Sequence, residues 1–223
     1  MSGHLAGATW AEVGGSGPVL VPVGSIEQHG PHLPLDTDTS IAVAVASSAA
    51  DTLGAWCAPP LAYGSSGEHQ SFAGTSSIGT EALRLQVVEL VRSLTTWAGS
   101  VLLVNAHGGN VAALRAAVEQ LTSEGRRVAW VACATEDVDL HAGRTETSLM
   151  LHLRPDDVRL DRAEAGNTQP LAEILPAMMA GGVAAVSANG VLGDPAGASA
   201  AEGERVLGAM VADVVAAAGR LTA

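Results

Sequence analysis

The feature that most constrains the fold is an alternation of short apolar runs with longer helical patterns. Four runs rich in β-branched residues are continuous, as expected for strands that are covered on both faces. They are Pro18–Val23, Trp56–Ala62, Ser100–Asn105 and Arg127–Ala132. Because strands that alternate with helices pair in parallel through right-handed crossovers, the sequence predicts a three-layer α/β/α fold with a mainly parallel central sheet.

Six helical patterns supply the outer layers of this predicted fold. In the second and the last of them, apolar residues recur on one face at helical spacing. The predicted helices are Ser40–Leu53, Thr80–Trp97, Asn110–Glu124, Glu146–Leu153, Gln169–Ala180 and Ala200–Leu221. Neither an internal repeat nor a linker is visible, so residues 1–223 are predicted to form one domain.

The composition excludes several functional classes. The net charge of −12 argues against a nucleic-acid partner, because affinity for phosphate backbones depends on Lys and Arg. The chain contains no lysine, which excludes a lysine Schiff-base mechanism. No apolar run approaches the ~20 residues of a membrane span, and the first residues lack the pattern of a signal peptide. We therefore expect no membrane partner and a cytoplasmic location.

Polar clusters follow each of the four predicted strands. They lie at Gly24–Asp38, Tyr63–His69, Asn105–Asn110 and Glu136–Thr147. In open parallel sheets, ligands bind outside the carboxyl ends of the strands. We therefore expect the four clusters to meet in one crevice.

Candidate metal ligands stand in the first and third clusters. Glu27 and His29 are two residues apart, so an extended backbone points both to the same side, and Asp38 follows a Pro-containing loop that could fold back toward them. These side chains could form one side of a divalent-metal site; alternatively, Glu27 and His29 are surface residues and Asp38 caps the next helix. His107 precedes a Gly-Gly turn at a strand end, which favours a metal ligand over a structural histidine.

The remaining candidates are in the second and fourth clusters. Ser66, Glu68 and His69 are predicted to line the substrate pocket. His141 could be an exposed loop residue, and Glu146 could be an acid that the helix dipole favours. Their place in the predicted crevice instead favours roles in the site for both.

Three motifs resemble the creatininase family of metal-dependent amidohydrolases. They are Gly24–Asp38, Asn105–Asn110, and His141–Gly143 with the adjoining Glu146–Ser148. The resemblance implies a three-layer α/β/α domain, a dinuclear metal site and an amide substrate. It also implies a homo-oligomer, often a hexamer in this family.

The chain departs from the creatinine-hydrolysing members of the family at two positions. Those enzymes carry a metal-binding Glu where this chain has Gly109, and a substrate-covering Trp where it has Asp137. The resemblance therefore makes Glu146 the best candidate for the missing carboxylate.

A closer resemblance within the family is to a peptidase that removes a C-terminal Val-Tyr dipeptide from a modified precursor peptide. The stretches that carry it are residues 62–75, 77–83, 181–187 and 190–195. This resemblance implies a peptide substrate and favours Fe²⁺ with Zn²⁺ as the two ions, with Mn²⁺ also possible.

On this basis we expect two divalent ions held by Glu27, His29, Asp38, His107 and Glu146, with Asp38 as the bridge. His141 would give a proton to the departing amine. Three alternatives remain open: another family amidase, such as a creatinine amidohydrolase or a formamide deformylase of flavin or deazaflavin biosynthesis; a non-catalytic metal- or ligand-binding module; and a nucleotide-dependent oxidoreductase. The lack of a Gly-rich phosphate loop after the first strand argues against the last.

Overall fold

A five-stranded parallel sheet forms the centre of the computed structural model, which describes residues 3–15, 17–134 and 139–222. The strands are β1 (Gly3–His4), β2 (Pro18–Val23), β3 (Trp56–Cys57), β4 (Ser100–Asn105) and β5 (Val128–Ala132). Their order across the sheet is β1-β3-β2-β4-β5. The central strands β2 and β4 pair from Pro18 and Ser100 to Val23 and Asn105, so both end at the same level.

Helices cover both faces of the sheet. They are α1 (Thr37–Leu53), α2 (Thr80–Leu94), α3 (Val111–Ser123), α4 (Arg144–Leu153), α5 (Leu171–Gly181) and α6 (Ala200–Thr222). Val19 and Val21 of β2 pack with α2 and α3, whereas Leu20 packs with α1, α4 and α6. This arrangement confirms the predicted three-layer α/β/α fold. None of the helices in the described ranges is long and apolar enough to cross a membrane.

The predicted bounds of the strands agree with the structure at the centre of the sheet, whereas the predicted strand that begins at Trp56 is wrong in length. β2 and β4 have the predicted bounds, and β5 begins one residue after Arg127. The predicted strand Trp56–Ala62 is too long, because regular pairing stops at Cys57 and only an isolated bridge joins Val23 to Leu61. Pro59 and Pro60 follow, and a proline has no N–H with which to continue a ladder.

Two helix ends differ from the prediction in ways that matter for the site. α1 begins at Thr37 instead of Ser40, and Asp36 occupies its N-cap position. Asp38 therefore lies inside the first turn, and its interpretation as an N-cap is wrong. α4 begins at Arg144, so Glu146 lies in its first turn.

Candidate metal centre and active site

The carboxyl ends of the strands open into a cavity of about 410 Å³. Side chains from all four predicted polar clusters line it. The polar ones are Glu27, Asp38, Glu68, His69, His107, His141 and Glu146.

The first group of possible metal ligands comprises Glu27, Asp38 and His107, whose ligand atoms lie within 4.8 Å of one another. His107 Nε2 is 3.2 Å from Glu27 Oε2, and His107 Nδ1 is 3.3 Å from Asp38 Oδ2. All three side chains are buried. Two carboxylates and one imidazole suit a divalent transition-metal ion.

The second group comprises His29, Asp38 and Glu146, within the same 4.8 Å limit. His29 Nε2 is 3.1 Å from Asp38 Oδ1 and 3.9 Å from Glu146 Oε2. Asp38 thus turns Oδ2 toward the first group and Oδ1 toward the second. The five residues predicted as ligands are brought together, with the Asp38 carboxylate between the two groups.

The carboxylate of Glu27 gives a direct test of whether a cation fits this site. Glu27 is fully buried, and neither of its oxygens has a hydrogen-bond partner. A buried carboxylate without hydrogen bonds is costly unless a positive charge compensates it. A metal ion shared with Asp38 and His107 would supply that charge, so the residues present fit a metal centre.

Mutual electrostatics set the protonation of the candidate ligands when no ion is bound. Burial alone would lower the pKa of His29, but Asp38 and the neighbouring glutamates raise it to about 10. Burial likewise opposes protonation of His107, and Glu27 and Asp38 outweigh it to raise the pKa of His107 well above its usual value. Burial raises the pKa of Glu146 to about 7. Cationic imidazoles therefore partly neutralise the carboxylates, and a metal ion would have to displace their protons to bind here.

Hydrogen bonds from Ser25, Asn105 and Asn110 hold the candidate ligands and their loops in place. Ser25 Oγ donates to Asp38 Oδ2 at 2.7 Å. Asn110 Nδ2 donates to Gly24 O at 2.9 Å and to Asn105 Oδ1 at 3.0 Å, and Asn105 Nδ2 donates to His107 O at 2.7 Å. The loops after β2 and β4 are thereby joined directly beneath the candidate metal ligands.

Gln28 connects two histidines of the cavity. Its Oε1 accepts a hydrogen bond from Gly30 N at 2.8 Å, which fixes the amide orientation. Its Nε2 then donates to His69 Nδ1 at 2.8 Å and to Gly190 O at 3.0 Å. His69 Nδ1 must therefore be unprotonated, and the ring proton of neutral His69 sits on Nε2, 3.4 Å from Glu27 Oε1.

His141 presents Nδ1 to the candidate metal ligand Glu27. Its Nε2 is 2.7 Å from Gln28 O and 3.0 Å from Gln28 Nε2. The shorter contact decides the tautomer, because both amide hydrogens of Gln28 already have acceptors, so His141 Nε2 donates to Gln28 O. The bare Nδ1 lies 3.7 Å from Glu27 Oε1, and burial, reinforced by His29, holds the pKa of His141 well below its usual value.

The backbone around His141 is in an uncommon conformation. Ala142 has φ 53°, and among the residues that the structure describes it is the non-glycine residue with a positive φ. Such conformations cluster at functional sites, where the surrounding structure enforces them. Ala142 N donates to Glu146 Oε2 at 2.6 Å, and the same Oε2 lies 3.9 Å from His29 Nε2, so a single oxygen of Glu146 faces both the start of α4 and His29.

Gly109 leaves room for the carboxylate of Glu68. A Cβ atom on Gly109 would lie 2.4 Å from Glu68 Oε1, 2.4 Å from His107 Nε2 and 2.3 Å from Ser65 O. Glu68 Oε1 itself lies 3.5 Å from His107 Nε2. A carboxylate from the loop after β3 thus occupies the space beside the side-chain position of residue 109.

The three residues predicted to line the substrate pocket differ in their exposure to it. Glu68 and His69 line the cavity. Ser66 is fully buried, and its hydroxyl lies 3.4 Å from His107 Nε2, which places it as a support for that ring. Asp137 lies outside the described residues.

Three contributors to this site are not among the residues predicted from the sequence. Ser25 and Gln28 stand inside the first motif, but neither residue type by itself signals catalysis. The apolar wall that α5 adds to the cavity was predicted only as a helix. Its signal was present in the spacing of Leu171, Leu175, Met178 and Met179.

The proteins that this chain resembles in sequence and in fold are hydrolases, which agrees with an active site in this cavity. Mycofactocin precursor peptide peptidase from Mycolicibacterium smegmatis is 59% identical over 199 residues, covering 86% of this chain and 81% of that protein. The protein of the same name from Mycobacterium tuberculosis is 54% identical over 224 residues, covering 96% and 89%.

A solved creatinine amidohydrolase (creatininase) superposes with a TM-score of 0.81 at 27% identity, covering 97% of this chain and 96% of that one. Related creatininase structures include a manganese form and a zinc–zinc form of a variant. The family model described as Creatininase: Creatinine amidohydrolase matches residues 6–218, and family and relatives together indicate a hydrolase of amide bonds. The chain belongs to the creatininase family.

Proposed function

We propose that this protein is a dinuclear metal-dependent peptidase that removes a C-terminal Val-Tyr dipeptide from the modified mycofactocin precursor peptide. The observation that carries the proposal is the pair of ligand groups sharing Asp38 at the floor of a cavity that could hold a dipeptide. The names of relatives at 53–59% identity support the substrate. Creatinine hydrolysis is less well supported, because creatinine amidohydrolase from Pseudomonas putida is only 31% identical to this chain.

Glu27, Asp38 and His107 would hold one ion, and His29, Asp38 and Glu146 the other. When bound, such ions supply an activated water and polarise the scissile carbonyl. Neutral His141 can accept a proton at Nδ1 and return it to the departing amine, because its Nε2–H remains on Gln28 O. Gln28 orients this ring, while Glu68 and His69 contact the substrate.

We further propose Fe²⁺ and Zn²⁺ as the two ions, with Mn²⁺ able to replace one of them. The mixed histidine and carboxylate ligands are compatible with each of these metals, and the resemblance to the peptidase favours iron with zinc. A homo-oligomer and a cytoplasmic location complete the proposal.

Mass spectrometry of the modified precursor peptide, incubated with reconstituted protein, tests the function. We expect metal-dependent loss of the C-terminal dipeptide and about two ions per chain by elemental analysis. Metals bound without turnover on this peptide, creatinine or formamides would instead identify a binding module.

His141→Ala tests the proton carrier. We expect turnover to fall by roughly 10²–10⁴-fold, the usual range for general acid–base catalysis, with metal content near wild type. Because Glu27, His29 and His141 also form a possible ligand group, loss of metal in this variant would assign His141 as a ligand and leave His69 or Glu68 as the proton donor.

Glu146→Gln tests the fifth ligand. If Glu146 binds metal, the variant loses activity and one ion, while the metal-free protein keeps its thermal stability. If the carboxylate only caps α4, a role worth about 0.3–1 kcal/mol, the variant keeps both ions and most of its activity.

A further inference from the structure

One wall of the cavity is apolar and comes mainly from α5. Leu171, Leu175, Met178 and Met179 all line the cavity. Their spacing places them on one face of the helix. Leu171, Leu175 and Met179 are exposed, Met179 to 79%, and this face lines the same cavity as the candidate metal ligands.

The position of this wall relative to the catalytic residues is fixed by packing. Ile174, on another side of α5, is buried against Val183 and Leu192. At the C-terminal end of α5, Gly182 has φ 72°, and a Cβ there would lie 2.6 Å from Glu68 O. Glycine thus allows the end of α5 to pack directly on the turn that carries Glu68.

The contents of the cavity determine what it can bind. Its lining within the described residues combines four carboxylates, three histidines and an apolar wall, without Lys or Arg. Three of the carboxylates are proposed metal ligands, and the wall favours a large apolar group. Methionine side chains adapt to aromatic rings and make favourable sulfur–aromatic contacts.

We propose that the α5 wall is the binding subsite for the aromatic side chain of the C-terminal residue released from the peptide, with Met178 and Met179 against the ring. This inference rests on the proposed peptidase function and adds the residues that select its substrate. The wall lines the same cavity as Glu27 and Asp38, so a side chain one or two residues along the peptide from an amide held beside those carboxylates can lie against it.

The test measures binding as well as turnover. Isothermal titration of the metal-loaded protein with the dipeptide amides Val-Tyr-NH₂ and Val-Ser-NH₂ reads the subsite without requiring hydrolysis, and the amide removes the terminal negative charge. We expect Val-Tyr-NH₂ to bind about 10- to 200-fold more tightly, the usual range for one apolar group in a pocket. Equal affinity for the two amides overturns the inference even if the protein proves to be a peptidase.

Met179→Ser is the informative variant, and Leu85→Ser on α2 is its control. Leu85 is 55% exposed and does not line the cavity. We expect Met179→Ser to reduce affinity for Val-Tyr-NH₂ about 10-fold and affinity for Val-Ser-NH₂ less than about 2-fold, with unchanged metal content. Leu85→Ser should change neither.

Other outcomes separate the subsite from its alternatives. A change of oligomeric state in Met179→Ser, with unaltered selectivity, would assign the wall to a contact between copies of the chain and overturn the inference. If wild-type protein prefers Val-Tyr-NH₂ and cleaves no peptide, the subsite stands and the proposed function fails. If it cleaves peptides ending in Tyr and Ser equally well, the function stands and the subsite fails.

Discussion

Metal loading should release about two protons per chain at pH 7.5. Asp38 and its neighbours raise the pKa of His29 to about 10 in the metal-free protein, and the pKa of His107 is also well above its usual value. Both imidazoles therefore begin charged, and each must lose a proton before its nitrogen can bind an ion. Glu146, with a pKa of about 7, adds only a fraction of a proton.

The cost of this displacement is large enough to measure. For His29 the gap between a pKa of about 10 and pH 7.5 is about 2.5 units, or about 3 kcal/mol of apparent binding free energy. Apparent affinity should therefore rise about tenfold per pH unit for each proton displaced. Isothermal titration with Zn²⁺ or Mn²⁺, in buffers of different ionisation enthalpy between pH 6.5 and 8.5, counts the protons.

His29→Gln supplies the internal check. This variant should release about one proton fewer, whereas His152→Gln, at a histidine outside the cavity, should release the wild-type number. Proton release near zero across this pH range, or the same release in His29→Gln as in wild type, would refute the reasoning that cationic histidines fill the metal-free site.

The remaining predictions concern stability and the supports of the ligands. The metal-free protein should lose on the order of 2 kcal/mol of folding free energy between pH 7 and 9 in chemical denaturation, because the raised pKa of His29 gives stability that is complete below pH 6.5 and disappears as the pH rises toward 10; a flat profile would contradict this. Ser25→Ala should weaken metal binding about 10- to 100-fold in competition with a chelator, because it removes the hydrogen bond that holds Asp38; unchanged affinity would show that Ser25 is dispensable. Gly109→Ala should lower both metal affinity and thermal stability, since its Cβ would displace Glu68 and press on Ser65 O; wild-type behaviour would mean that this space is open.

The parts of the fold that could be predicted are those with strong local patterns. β2 and β4 are continuous apolar runs buried on both faces, so their bounds follow directly from the sequence. The sequence predicts too long a strand from Trp56, because Pro59 and Pro60 interrupt an apolar run without changing its hydrophobicity. It predicts too late a start for α1, because Asp36, Thr37 and Asp38 are equally typical of a loop.

The candidate site was predictable in its residue types and not in its connections. Glu27, His29 and His107 are chemically conspicuous at strand ends, so their convergence could be expected. The tautomers of His69 and His141 depend on how the Gln28 amide is oriented, and that orientation is set by Gly30 and Gly190, which are distant from each other in sequence. The positive φ of Ala142 is likewise a product of tertiary packing.

The space beside Gly109 has a consequence for evolutionary divergence. A side chain at position 109 and the carboxylate of Glu68 exclude each other, because both would need the volume next to His107 Nε2. A side chain at position 109 therefore requires both a different residue at position 68 and a shift of the backbone at Ser65, whose carbonyl oxygen would lie 2.3 Å from the new Cβ. Related sequences that carry a side chain at position 109 should accordingly lack Glu68 and differ in the loop after β3, and this coupled pattern would mark where the two kinds of enzyme separated.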